Sequence, residues 1–195
     1  MFYRLVRRLF LLGAAVLFRL RVEGAERLPP SGPAIVVAAH RSWLDPACVG
    51  GACRRPVRFL IMESVYANRW ARWFYRAMGT IPVGAGAASS ASALRGALRA
   101  LARGEVVGVF PEGRVWPAES PGPVQPGAAL LALRTGAPVV PLVICGSARA
   151  WPHGRRYPGP AAVRVRVGDA LEPPPGAGRD AVDELSARIA RALGW

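Results

Sequence analysis

His40 and Asp45 are where this sequence could do chemistry. His40 is one of two histidines in 195 residues. Asp45 is the only acid between Arg27 and Met62, and Pro46 follows it. A carboxylate on one imidazole nitrogen fixes the tautomer and leaves the other nitrogen as a base. On a continuous helix an i,i+5 pair would stand about 140° apart and could not touch. The pair therefore needs a loop between two elements. A second cluster, Pro111-Glu112-Gly113-Arg114, could serve the same chemistry. There Arg114 is a clamp for phosphate or another anion, since a guanidinium can bind phosphate through two parallel bonds. Glu112 could hold Arg114 in place or bind a substrate hydroxyl.

The flanking sequence supplies the elements. Ile35–Ala39 is short, apolar and bounded by Gly32-Pro33, which predicts a buried strand ending at His40. Asp45 before Pro46 predicts a helix start, with Asp45 as N-cap, and a short helix over Cys48–Cys53. Further strands are predicted over 20–28, 57–62, 79–84, 105–110, 138–144 and 163–167, the last with Arg164 and Arg166 on its wet face. Helices are predicted over 64–77, 89–103, 127–135 and 180–193. Strands alternating with helices at this spacing predict one α/β domain over 22–195, a mixed sheet with helices on both faces. In such sheets sites form beyond the carboxyl ends of strands. His40 and Glu112-Gly113-Arg114 both follow apolar strands and so can share one crevice. Residues 115–126, rich in proline, are a candidate cover for it.

Residues 1–21 predict an amphipathic helix with Arg4, Arg7, Arg8 and Arg19 within an arc of about 120°. Its unbroken apolar part, Leu9–Phe18, would be about 15 Å long, half a bilayer core, and so should not span. A signal peptide is disfavoured because no small-x-small cleavage site follows. The expectation is a helix lying in a membrane surface; packing on the domain body is the alternative. In the 64–77 helix, Trp70, Trp73, Phe74 and Ala77 share one face and are expected to be core, with a membrane- or acyl-chain-facing surface as the alternative.

Composition narrows the partners. The chain is 52% hydrophobic with net charge +14, and all 26 basic residues are arginine. Residues 64–104 carry six arginines and no acid, and so do residues 120–168. Such a surface favours a membrane, a nucleic acid or an acidic carrier protein. Against nucleic acid, no recognition motif appears. Cys48, Cys53 and Cys145 form no CxxC pair, so neither a metal site nor a disulfide framework is expected, and buried free thiols are the simple reading. Ser42 is a weak rival nucleophile, because no G-x-S-x-G elbow surrounds it.

Four blocks in order carry a resemblance. They are His40-Arg41-Ser42-Trp43-Leu44-Asp45, Gly79-Thr80-Ile81-Pro82-Val83, Phe110-Pro111-Glu112-Gly113-Arg114 and Val139-Val140-Pro141-Leu142-Val143-Ile144. Over about residues 22–150 the chain resembles the glycerolipid (lysophospholipid) acyltransferases, typified by 1-acylglycerol-3-phosphate acyltransferase. The resemblance implies acyl transfer from acyl-carrier protein or acyl-CoA to a lysophospholipid hydroxyl, with no other cofactor. It implies His40 as general base and Asp45 as its partner. It also implies substrate contacts at Ser42, Gly79, Ile81, Pro82, Pro111, Glu112, Gly113 and Arg114. A peripheral location on the cytoplasmic face of the cell membrane goes with it. Two departures bear on the acceptor. The second block runs on into Gly84-Ala85-Gly86, where the family usually has an Arg, and the third lacks the Thr of Glu-Gly-Thr-Arg. Another lysolipid or an aminolipid acceptor, or a non-catalytic binder of anionic lipid, are the alternatives to 1-acylglycerol-3-phosphate.

Overall fold

A computed structural model describes residues 2–67, 69–116, 122–152, 154–176 and 178–195. Seven strands form a single sheet: β1 (Arg21–Glu23), β2 (Ala34–Ala38), β3 (Val57–Met62), β4 (Ile81–Val83), β5 (Val106–Val109), β6 (Val139–Cys145) and β7 (Arg164–Val167). Their spatial order is β1-β7-β6-β2-β5-β3-β4. Only β6 and β7 pair antiparallel. The sheet is mixed, as predicted, and β1 and β7 run against the rest.

β2 is central, and all five of its residues are buried. Such a strand needs apolar side chains on both faces, which Ala-Ile-Val-Val-Ala provides. On one face Val36, Ala38, Val140, Leu142, Val165 and Val167 pack with the helices α1 (Phe2–Leu17) and α2 (Asp45–Ala52). On the other, Ile35, Val37, Val107 and Val139 pack with α5 (Ala87–Ala102), α6 (Gly127–Thr135) and α8 (Arg179–Leu193). Helices thus cover both faces. Gly136 closes α6 at φ +67°, a conformation that glycine adopts without strain.

Three expectations need correction. The edge strand at 20–28 shrinks to β1, because the chain turns into a 3-10 helix at Ala25–Arg27. The helix at 64–77 is two helices, α3 (Glu63–Tyr66) and α4 (Arg69–Met78). Its aromatic face is not core: Trp70 is 81% exposed and Trp73 63%. Helical spacing shows which residues share a face, but not which way that face points.

α1 packs on the domain body along one side only, the alternative expected for the N-terminus. One side is packed: Tyr3, Ala14 and the following Phe18 are buried, and Gly51 of α2 sits against Phe10 and Leu11. The Tyr3 hydroxyl donates to the Gly50 carbonyl at 3.1 Å, and Arg7 donates to that of Gly51 at 2.8 Å. The other side, Phe2, Leu5, Leu9, Leu12 and Val16, lies open to solvent. No helix among the described residues is long and apolar enough to cross a membrane.

Candidate active site

β2 ends and the chain turns through residues 39–44 before α2 begins at Asp45, with Pro46 in its first turn. The turn is built around two buried polar side chains, Ser42 and Asp45. Asp45 is not the N-cap that its position suggests. Leu44 holds the cap position, and no side chain caps α2. The carboxylate reaches back instead. Oδ2 accepts the backbone N–H groups of Arg41 and Ser42, each at 2.7 Å, and His40 Nδ1 at 3.4 Å. By accepting two amides at the start of the turn as well as the imidazole, the carboxylate stabilises the turn and the ring together. Ser42 Oγ donates to the Trp151 carbonyl at 2.7 Å and accepts the Leu44 N–H at 3.1 Å. That serine is buried and bonded to backbone as both donor and acceptor, which makes it a structural pin.

The third block closes on the same turn. The His40 N–H donates to both oxygens of Glu112, at 3.2 and 3.1 Å, and Trp116 N–H donates to the His40 carbonyl at 2.8 Å. Glu112 therefore neither holds Arg114 nor faces solvent. It pins the His40 backbone, with Arg41 Nε 3.8 Å away. Burial pushes its carboxyl above the usual carboxylate range, opposed by the His40 N–H and Arg41. Gly113 turns the block at φ +72°, which releases Arg114 into solvent. There the guanidinium lies over the Trp116 ring, 4.1 Å from its centroid.

Two aromatic residues complete the centre. The His40 ring stacks on Phe110, with centroids 4.2 Å apart and planes at 22°, and Phe110 stacks on Phe59 at 5.9 Å and 11°. Phe59 reaches across β5 at Gly108, where a Cβ would lie 2.5 Å from the Phe59 ring. The sequence reading left Gly108 and Phe59 without a role. A glycine inside a strand is the signal that could have found them, since it marks a close approach.

With one ring face on Phe110 and Nδ1 on Asp45, Nε2 is the nitrogen left for substrate. The His40 side chain is 14% exposed. Pro111 is buried beside Glu112. The second block stands apart, on the edge strand β4, three strands from β2. There Ile81 packs toward α5 and Pro82 is exposed. Gly79 makes room for the Arg58 guanidinium, which bonds to Glu105. Of the predicted site residues, the structure thus gathers His40, Ser42, Asp45, Pro111, Glu112, Gly113 and Arg114, and leaves Gly79, Ile81 and Pro82 to one side. The candidate cover at 115–126 lies partly outside the described residues, at 117–121. No trio of His, Cys, Asp or Glu among the described residues could hold a metal ion. Cys48 and Cys53 are buried thiols pushed up to about 12 by burial, whereas Cys145 is exposed, contrary to expectation.

A buried aspartate beside a histidine at the carboxyl end of a central strand is an arrangement with the geometry a general base needs. The acyltransferase family model matches residues 19–145, and the chain belongs to that family. It is 27% identical over 139 residues to the chloroplastic 1-acyl-sn-glycerol-3-phosphate acyltransferase BAT2 of Brassica napus, covering 70% of this chain and 40% of that protein. With 1-acyl-sn-glycerol-3-phosphate acyltransferase of Bacillus subtilis it shares 25% over 128 residues, 65% of this chain and 63% of the relative. The chain thus spans less than two thirds of the length of these relatives. The crystal structure of the 1-acyl-sn-glycerophosphate (LPA) acyltransferase PlsC from Thermotoga maritima has the same fold. Its TM-score is 0.84 at 24% identity, over 98% of this chain and 76% of that one.

Proposed function

We propose that this protein transfers a fatty acyl group from a thioester, on CoA or on a carrier protein, to the free hydroxyl of a lysophospholipid. The preferred acceptor is 1-acylglycerol-3-phosphate, giving phosphatidic acid. The observation that carries this reading is the His40–Asp45 pair. Asp45 is immobilised by two backbone N–H groups and holds the imidazole from one side, with Phe110 against its face.

In the reaction Nε2 takes the proton of the acceptor hydroxyl as its oxygen attacks the thioester carbonyl. The new C–O bond forms, the C–S bond breaks, and the thiolate collects the proton from the imidazolium. No acyl-enzyme forms. Thiolate leaves readily, so one positioned base suffices, and such a base contributes about 10²–10⁴-fold. Arg114, exposed beside the His40 turn, is the anion contact for the acceptor phosphate.

The same reading places the enzyme on a membrane surface, peripheral to its cytoplasmic face. The Phe2 ring lies 6.1 Å from Trp73 and 6.3 Å from Phe74, so the apolar stripe of α1 runs into the exposed tryptophans of α4. Contiguous exposed apolar surface rimmed by Arg4, Arg8, Arg69 and Arg72 suits a bilayer interface, where Trp and Arg sit at headgroup level. The test is a panel of lysophospholipid and aminolipid acceptors on anionic vesicles, with a labelled acyl thioester and product mass as readout. Phosphatidic acid as the dominant product supports the reading; no acylated product from any acceptor defeats it.

A further inference from the structure

A second charged feature lies on the sheet edge formed by β6, β7 and β1. Arg164 and Arg166 alternate with Val165 and Val167, which are buried against the α1 and α2 side of the sheet. Successive strand residues point to opposite faces, so both arginines leave on the other side. In β1, Val22 packs inward, and Arg21 and Glu23 emerge beside them. The register puts Arg21 next to Arg164 and Arg164 next to Cys145. Arg19 and Arg149 complete the rim of a concavity of about 430 Å³. Of the helices on this face, α8 packs against β6 and α6 against β2, and the exposed side chains of β1 and β7 remain open.

Glu23 stands 3.3 Å from Arg164 and 3.8 Å from Arg166, both pairs solvent-exposed. Among the described residues no carboxylate pairs with Arg19, Arg21 or Arg149. Five guanidinium groups thus face one carboxylate.

The concavity opens at the catalytic end of the sheet. Because β7 runs antiparallel to β6, Arg164 and Arg21 begin their strands beside Cys145, the last residue of β6. β6 is parallel to β2, whose carboxyl end leads to His40. The path between the two sites is short. Arg149 is two residues from Trp151, whose carbonyl takes the Ser42 hydroxyl, and Ser42 is two residues from His40. Covalent geometry keeps the Arg149 and His40 backbones within about 22 Å.

We propose that this arginine-lined concavity docks an acidic protein that carries the acyl chain as a thioester. The proposal rests on the acyl-transfer reading of His40 and names where its donor binds. A bilayer does not fit the site, because the exposed stripe of α1 lies on the opposite face of the sheet. A compact phosphate group fits less well than a protein surface. The arginines come from two strands, β1 and β7, with Arg19 before β1 and Arg149 in the helix at Ser147–Ala150; neighbours on the strands stand about 5 Å apart across the sheet and about 7 Å along it. Carboxylates on successive turns of an acidic helix repeat at about 5–6 Å and match that spread. Attraction between such surfaces speeds encounter and weakens with salt.

The test compares three donors on the same lysophospholipid vesicles: acyl-loaded carrier protein, acyl-CoA and acyl-pantetheine. In the Arg21→Glu/Arg164→Glu variant, KM for the carrier thioester should rise at least about tenfold with kcat retained, and its salt dependence should flatten. Turnover of acyl-pantetheine should not change. Glu23→Gln, which frees two arginines, should lower KM for the carrier. Direct titration of the full chain with acyl-loaded carrier protein, read by anisotropy, should show salt-sensitive binding that the double variant loses. An unchanged carrier KM overturns the proposal. So does an equal loss with acyl-CoA, which would assign the site to nucleotide phosphates, or a loss with acyl-pantetheine, which would mean damage to the enzyme itself. If the wild type turns over no donor, the acyl-transfer reading fails while the titration still judges the docking site.

Discussion

The turn after β2 and the outer face of α1 and α4 depart from ordinary burial in opposite directions. At the turn, Asp45, Ser42 and Glu112 are buried polar side chains, and each is answered by backbone N–H or C=O groups. On the helix face, Leu9, Leu12, Val16 and Trp70 are large apolar side chains left 60% to 81% exposed. Isolated buried carboxylates and broad exposed apolar surfaces both cost stability, so each needs a reason. At the turn, rigidity is the return: the imidazole is fixed from the Asp45 side, from the Phe110 face and through its own backbone. On the helix face the proposed return is adhesion to lipid, which needs no fixed partner.

The largest expected effect breaks the first region alone. His40→Ala should lower kcat by at least about 10²–10⁴-fold with the fold retained, since the turn is held by the His40 backbone N–H on Glu112 and by the Arg41 and Ser42 amides on Asp45, all kept in the variant. Asp45→Asn should follow it in rate, through the wrong tautomer, while the acceptor KM stays within about twofold. Full activity in either variant would remove the turn from catalysis.

The converse variant breaks the second region alone. Leu9→Ser/Leu12→Ser should reduce co-sedimentation with anionic vesicles by at least about tenfold, because two apolar side chains no longer enter the interface. Turnover of a detergent-dispersed acceptor should be preserved. Equal losses in both assays would mean that the stripe supports the fold and not the membrane contact.

A smaller effect tests the aromatic support. Gly108→Ala should push the Phe59 ring aside, loosen Phe110 and cost about 1–3 kcal/mol of stability. The loss in kcat should be severalfold, checked by denaturant melts beside initial rates.

The smallest effect is a pH dependence. Burial raises the Glu112 carboxyl above its unfolded value. The folded state therefore holds that proton more tightly, and this contribution is fully present below the unfolded pKa. It is lost as pH rises through the higher folded pKa. Glu112→Gln should remove that decline, so the melting temperature of wild type relative to the variant should fall as pH rises above the usual glutamate range. A constant difference across that range would refute the assignment.

Much of this was legible in the chain. The apolar run before His40, the alternation at 163–167 and the four blocks pointed to the sheet, its helices and most of the His40–Asp45 turn. What was hidden follows a pattern. Asp45 looked like an N-cap because Asp before Pro usually is one, yet the amides it serves lie behind it, in a turn whose path no spacing rule supplies. Trp70 and Trp73 looked like core because periodicity carries no sign. Phe59 stacks on Phe110 from another strand, and only the parallel register of β3 and β5 brings them together.

The sequence by itself determined that a histidine and an aspartate would flank a loop at the end of a buried strand, because apolar runs and the Asp-Pro boundary are local signals. Tertiary structure alone decided that Glu112 would grip the His40 backbone, that tryptophans would face outward, and that arginines from β1, β7 and α7 (Ser147–Ala150) would surround one hollow. Those outcomes depend on strand order and register, which are set when distant segments compete to bury the same apolar surface.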